Sequence, residues 1–288
     1  MPRDELLRRV EDKDGLLCHL SDRIDRELLE RADRLRAISI YAVGYNNIDL
    51  IAASERGIKV TNTPGVLTEA TADLTWALLL SAARRISESD RYVREGRFKG
   101  WGPNLFLGID VHGKTIGVVG MGSIGAAVAR RARGFGMTVL YHNRTRSQSE
   151  GELGARLVSL EELLQRSDFV TVHVPLTPAT EHLIGERELG LMKRDAVLVN
   201  VSRGPVVDED ALVRALREHH IRAAGLDVYE REPEVHPGLM TLENVVLTPH
   251  TGSATVGTRE RMAVMAATNL IDALEGRTPA NLVAPKTT

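Results

Sequence analysis

The segment Thr115-Ile-Gly-Val-Val119 runs directly into Gly120-Met121-Gly122-Ser123-Ile124-Gly125 and then into Ala126-Ala-Val-Ala-Arg-Arg-Ala-Arg133. No other stretch restricts the fold as strongly. The first part is apolar and β-rich, as in a buried strand, and the last has the small apolar residues and terminal arginines of a helix. A lone G-x-G-x-x-G means little, but between a strand and a helix each glycine acquires a task. Gly120 permits the tight turn, Gly122 lets a pyrophosphate approach the backbone, and Gly125 lets the helix pack on the strand. The helix N-terminus adds N–H groups and a positive dipole for the phosphate. Residues 120–125 are therefore expected to bind a dinucleotide, with Met121, Ser123 and Ile124 completing the loop.

The next strand, Met137–Tyr141, should end at the adenosine ribose. A loop built for NAD usually places Asp or Glu there for the 2′-hydroxyl. This chain has His142-Asn143-Arg144-Thr145-Arg146 instead. With no carboxylate and two arginines, a 2′-phosphate would meet cations and hydroxyls, so NADP(H) is favoured and NAD stays possible. The alternative is that the arginines only solvate a loop.

Strand and helix patterns alternate along most of the chain, which implies parallel sheets covered on both faces. The pattern gives a helix at Asp4–Val10, a strand at Leu16–Leu20, a helix at Asp22–Ala32 capped by Ser21, and a strand at Leu35–Tyr41. A helix near Ile48–Arg56 and a strand at Ile58–Thr61 follow. Leu67–Ile86 reads as one long apolar helix suited to a buried or inter-domain position, with a polar, glycine-jointed arm after it (Ser87–Pro103). The last helix, about Gly257–Glu275, leads to a tail with Pro279 and Pro285. At 288 residues with 43% hydrophobic and 26% charged residues, the chain suits a soluble two-domain protein. A net charge of −2 gives no global field for nucleic acid or an anionic membrane. No apolar run approaches spanning length and no signal peptide is evident, so a cytoplasmic protein is expected. The single cysteine, Cys18, sits in an apolar run and reads as a small buried hydrophobe.

Three further residues lie just past strand-like runs, where open α/β sheets place their ligands. Arg203 ends Val197-Leu-Val-Asn-Val-Ser-Arg, Glu232 closes Gly225-Leu-Asp-Val-Tyr-Glu-Arg-Glu, and His250 ends Val245-Val-Leu-Thr-Pro-His. An arginine can clamp a carboxylate, and a histidine held by a glutamate can deliver a proton. Beside a hydride donor, this set would reduce a 2-oxo acid. The competing reading makes Arg203 and Glu232 a structural ion pair. Asp227 is either structural or placed beside the nicotinamide amide. The other eight histidines lack such a context, and none has metal-ligand spacing, so no metal site is expected.

Together these segments resemble the D-isomer-specific 2-hydroxyacid dehydrogenases, most of all the glyoxylate/hydroxypyruvate reductases among them. The likeness covers nearly the whole chain. It includes Tyr41-Ala-Val-Gly-Tyr-Asn-Asn-Ile-Asp, Asn62-Thr-Pro-Gly-Val-Leu-Thr, the 120–125 loop, His173-Val-Pro-Leu-Thr, Asn200-Val-Ser-Arg-Gly and Pro249-His-Thr-Gly-Ser-Ala. The resemblance implies two doubly wound parallel-sheet domains. A flavodoxin-like substrate-binding domain would begin at residues 1–66, a Rossmann domain would span 67–257, and 258–288 would return to the first. It also implies that Arg203 binds the substrate carboxylate and carbonyl, that His250 protonates the carbonyl oxygen, and that Glu232 supports His250. The N–H groups of Val43 and Gly44 would hold the carboxylate's other end, and Val201, Ser202 and Asp227 join the expected cofactor contacts. A homodimer is implied, with the long helix and arm crossing to the partner. Trp101 would then either shape the partner's pocket or pack beneath its own arm.

Members of this family usually begin with a strand–helix–strand unit, whereas this chain opens on a helix. The substrate-binding domain is thus expected to be N-terminally shortened, with strand edges left bare. Ser123 replaces a common basic residue and Asn46 a common aspartate. Two other readings stay open: a dinucleotide-sensing corepressor of the same fold, or another family member such as phosphoglycerate dehydrogenase, which usually carries an added regulatory domain.

Overall fold

The computed structural model describes residues 2–283, so Pro285 and the tail around it lie outside the described residues. Among these, the chain packs as two compact units. One runs up to Leu67 and resumes at Ser253, and the other is Thr68–Gly252.

The first unit is built on strands β1 (Gly15–Cys18), β2 (Ala37–Ile40) and β3 (Lys59–Thr61), which are parallel neighbours in that order. The far edge carries an element that the sequence pattern does not show. A short strand at Leu282–Val283 pairs antiparallel with β3. Helix Val256–Leu274 lies against this sheet so closely that a Cβ on Gly15 would come within 2.8 Å of Leu274. The expected helix at Asp22–Ala32 is shorter, Arg26–Arg31, and its cap is Asp25, not Ser21. Ile24, fully buried, makes a parallel bridge to Ile48, which keeps the chain extended until Asp25 accepts the Leu28 N–H. Cys18 is buried, and burial followed by the Asp22 charge pushes its thiol up to about 12, so it behaves as an inert hydrophobe.

The second unit holds one seven-stranded parallel sheet. Its strands are β4 (Thr115–Val119), β5 (Thr138–His142), β6 (Arg156–Leu157), β7 (Phe169–Val172), β8 (Val197–Asn200), β9 (Ala223–Leu226) and β10 (Val245–Leu247). The spatial order is β10-β9-β8-β7-β4-β5-β6. The winding direction reverses between β4 and β7, which opens a crevice at the carboxyl ends of those two strands. The central strands β4, β7, β8 and β9 are buried on both faces, which explains their largely apolar runs. Trp76 pins the helix behind the glycine loop: its indole N–H donates to Val128 O at 3.1 Å, and its ring stacks on Phe135.

The long helix expected over Leu67–Ile86 forms as Thr68–Arg84, and a second helix, Ile86–Arg94, follows it in the stretch expected as an arm. Arg85 breaks them apart in the left-handed region, at φ 55°. Its guanidinium grips Glu88 through two hydrogen bonds of 2.8 and 2.6 Å and lies over the Phe106 ring. The second helix buries none of its residues, and its polar sequence offers no apolar run to announce it. The arm expected over Ser87–Pro103 is correspondingly helical as far as Arg94.

Candidate active site

Every site residue of the second unit sits at the carboxyl end of a strand of the seven-stranded sheet. At β4, Gly120 adopts φ 99°, and a Cβ there would come within 2.8 Å of His173 C and Val174 N at the end of β7. A Cβ on Gly125 would lie 2.2 Å from Gly120 O, so the helix can start only with glycine there. Gly122, at the helix cap, faces open space: a Cβ there would meet nothing within 4 Å. Two glycines are thus needed for packing, and the third leaves backbone accessible at the N-terminus of helix Ser123–Ala132. These features fit a pyrophosphate-bearing dinucleotide.

The loop after β5 is tied to the glycine loop. Asn143 Oδ1 accepts the Met121 N–H at 2.7 Å, so this side chain braces the glycine loop. Ser147 Oγ donates to Met121 O at 3.3 Å from the same side. Arg146 is hydrogen-bonded to Glu150, while the Arg144 side chain has no hydrogen-bond or ion-pair partner among the described residues.

Arg203 follows β8 through a turn organised by buried Asn200. The Asn200 amide oxygen accepts Ser202 N–H and Oγ–H at 3.1 and 3.0 Å, and its NH₂ donates to Arg203 O at 3.0 Å. The next residue must be glycine, because a Cβ on Gly204 would fall 1.8 Å from Tyr229 C. This close approach brings the Arg203 turn against the Tyr229–Glu230 backbone. Arg203 Nη1 donates to Ser202 O at 2.7 Å. Burial lowers the guanidinium from its ordinary value against the charge of Glu232, yet an arginine stays cationic near neutrality.

His250 Nδ1 lies 2.8 Å from Glu232 Oε2. The other carboxylate oxygen of Glu232 accepts the Tyr229 N–H at 3.1 Å. Both side chains are about one-third exposed, within reach of a small solute. His250 has φ 53°, a conformation that costs a non-glycine residue about 1–3 kcal/mol and persists only when its surroundings impose it. Asp227, 1% exposed, does so. Its carbonyl accepts the His250 N–H at 2.9 Å. Its carboxylate accepts Thr248 Oγ1–H at 2.6 Å, Thr251 N–H at 2.7 Å and Gly252 N–H at 2.8 Å. Tyr229 reinforces the turn by donating to Thr248 O at 3.0 Å. Burial, followed by the charges of Asp227, Glu232 and Glu209, pushes that phenol up to about 12, so it remains a donor.

The structure therefore brings Arg203, Glu232 and His250 into one electrostatic cluster. Asn200, Tyr229, Thr248 and Thr251 belong to its support and were missed from the sequence, where polar residues at strand ends look alike. Trp101 is 85% exposed on the arm, so it does not pack beneath that arm. Val43 and Gly44 belong to the other unit, just after β2, where Val43 O accepts Asn62 Nδ2–H at 2.8 Å. A cavity of about 590 Å³ at the opposite, amino-terminal ends of β8–β10 is lined by Arg85, Arg217 and Asn244 and holds none of the cluster. Among the described residues, no helix is long and apolar enough to cross a membrane.

A sheet of this order, with such a loop at its crevice, defines a dinucleotide-binding domain. Residues 76–252 match the family described as "D-isomer specific 2-hydroxyacid dehydrogenase, NAD binding domain". A glyoxylate reductase of Thermococcus kodakarensis is 56% identical over 288 residues, covering 98% of this chain and 86% of that enzyme. The crystal structure of a glyoxylate reductase from Paecilomyes thermophila superposes with a TM-score of 0.90 at 39% identity, over 98% of this chain and 88% of that one. An NADPH-dependent glyoxylate/hydroxypyruvate reductase from Sinorhizobium meliloti, solved with NADP and malonate, gives a TM-score of 0.89 at 35% identity over 99% and 86%. The chain belongs to the D-isomer specific 2-hydroxyacid dehydrogenases, and is an NAD(P)-dependent enzyme of that family.

Glu232 carries a consequence for pH. Burial pushes its carboxyl up, but the His250 hydrogen bond and charge, the Tyr229 N–H and Arg203 bring it below the ordinary glutamate value. A depressed carboxyl keeps its pairing in full above the unfolded pKa and loses it as pH falls through the folded one. Activity that depends on this pair should persist below the ordinary carboxyl range before failing. In Glu232→Gln, kcat/KM should fall across the plateau and this acid limb should vanish. A pH profile that keeps its shape in the variant contradicts the assignment.

Proposed function

We propose that the enzyme reduces a small 2-oxo acid, glyoxylate or hydroxypyruvate, to the D-2-hydroxy acid with NADPH. The observation that carries this reading is the 2.8 Å contact between His250 Nδ1 and Glu232 Oε2 beside the cation of Arg203. With Nδ1 held by the carboxylate, Nε2 is the nitrogen that passes a proton to the substrate's carbonyl oxygen. Arg203 takes the substrate carboxylate and polarises the carbonyl, where its charge counts for more because burial excludes water. Glu232 fixes the imidazole plane and offsets the charge of the protonated ring. When bound, the dihydronicotinamide supplies the hydride to the carbonyl carbon. Asp227 sets the turn from which His250 reaches the substrate.

Several groups belong to this reading as cofactor contacts: the 120–125 loop, Asn143, Arg144 and Thr145 on the adenosine side, and Val201 and Ser202 near the nicotinamide. The preference for NADPH rests on Arg144 and on the lack of an acid at the end of β5. The S. meliloti relative, named NADPH-dependent, supports it. We also read the enzyme as a homodimer in which the arm crosses to the partner and Trp101 shapes the partner's pocket. Its 85% exposure, with Phe98 and Leu107 also exposed nearby, supports a covering surface.

Replacing His250 with Ala should lower kcat by about 10²–10⁴-fold, as for loss of a general acid, while cofactor affinity changes little. Near-normal turnover in His250→Ala would falsify the role. Arg144→Ser should weaken NADPH by roughly tenfold and leave NADH nearly unchanged, as when one charge-assisted contact to a phosphate is removed. Equal losses for the two cofactors would count against a 2′-phosphate contact. Light scattering at micromolar concentration should return twice the chain's mass of 31.6 kDa, and a monomer there rules out the dimer.

A further inference from the structure

We infer that Glu150, anchored by the buried Tyr141, holds Arg146 away from the cofactor's 2′-phosphate and so limits the enzyme's preference for NADPH. This inference rests on the reading that the 143–146 loop faces that phosphate. Tyr141 lies inside the sheet with no exposed surface, and its hydroxyl emerges beneath the loop. The hydroxyl accepts the Ser147 N–H at 3.1 Å and donates to Glu150 Oε2 at 2.6 Å. The second carboxylate oxygen, Glu150 Oε1, accepts from Arg146 Nη1, also at 2.6 Å. Both oxygens are thus committed, one to a rigid core phenol and one to the arginine.

Most surface ion pairs contribute little because two flexible side chains must be ordered together. Here one partner is already ordered. Glu150 is only 23% exposed, whereas Arg146 is 73% exposed and swings on a long stem. A fixed carboxylate therefore captures a mobile guanidinium four residues before it. The hydrogen bond to Tyr141, followed by the pairing with Arg146, holds the Glu150 carboxyl below its ordinary value, so it is fully charged at neutral pH. A phosphate dianion approaching Arg146 meets a neutralised pair with a carboxylate behind it. Arg144 has no such counter-charge and is the cation left for the phosphate. The sequence displays two arginines in this loop, but the structure leaves one of them available.

The test is a double-mutant cycle read by calorimetric binding of NADPH and NADH to wild type, Glu150→Gln, Arg146→Ala and the double variant. Glutamine still accepts from Tyr141 but carries no charge. Glu150→Gln should raise the NADPH-over-NADH affinity ratio by roughly three- to tenfold, the scale of one charge-assisted hydrogen bond at an exposed site. Arg146→Ala alone should change the ratio by less than about twofold, and in the double variant the gain should disappear. A roughly tenfold fall in the ratio with Arg146→Ala alone would mean that Arg146 already binds the phosphate, which overturns the inference. So would an unchanged ratio in a folded Glu150→Gln protein. If Glu150→Gln does not fold, the Arg146→Ala arm decides alone. The NADPH reading fails separately, if wild type binds NADH more tightly and Arg144→Ser leaves the ratio unmoved.

Discussion

The Asp227 carboxylate lies at the carboxyl end of β9 with almost no exposed surface, and a buried anion is tolerated only where several donors converge on it. Thr248, Thr251 and Gly252 supply those donors, all from the turn that follows β10. The turn is wrapped around the charge, and this wrapping imposes the left-handed backbone of His250. The imidazole therefore points where an ordinary strand extension could not send it. Without the buried charge, the 248–252 segment would have no reason to close so tightly, and the histidine would lose its approach to Glu232.

Around that point, each neighbouring strand end adds one constraint. Asn200 closes the turn that carries Arg203, and Gly204 lets it lie against the Tyr229–Glu230 backbone at a distance no side chain permits. Tyr229 bridges both sides: its N–H fixes Glu232, and its hydroxyl holds Thr248 O. The His250–Glu232 pair and the Arg203 cation are thus positioned by backbone-directed hydrogen bonds from rigid strand ends. Such support holds a side chain in place more firmly than side-chain contacts alone.

On the cofactor side the same economy recurs. Asn143 braces the glycine loop through Met121, and the buried Tyr141 of β5 fixes Glu150. Asn143, expected from the sequence as a cofactor contact, thus serves as a strut, because the loops after β4 and β5 lie side by side at the crevice.

Much of this was legible in the linear sequence. The glycine spacing after Thr115–Val119, the largely apolar strands and the three polar strand-end motifs were enough to indicate the fold, the dinucleotide loop and the candidate trio. These are local patterns, set by backbone sterics and by burial on two faces. Features that depend on partners distant along the chain stayed hidden. Asp25 displaces Ser21 as a cap because Ile24 is held extended by its bridge to Ile48. The polar stretch after Arg85 turns helical as Ile86–Arg94, with Arg85 held at the junction by Glu88 and Phe106. The strand at Leu282–Val283 exists only because β3 presents an open edge to it. Most tellingly, two arginines in one loop look equivalent until the fold places Tyr141 beneath them. Which cation remains available depends on where the mostly buried Glu150 carboxylate is anchored, and that is decided by packing across the sheet.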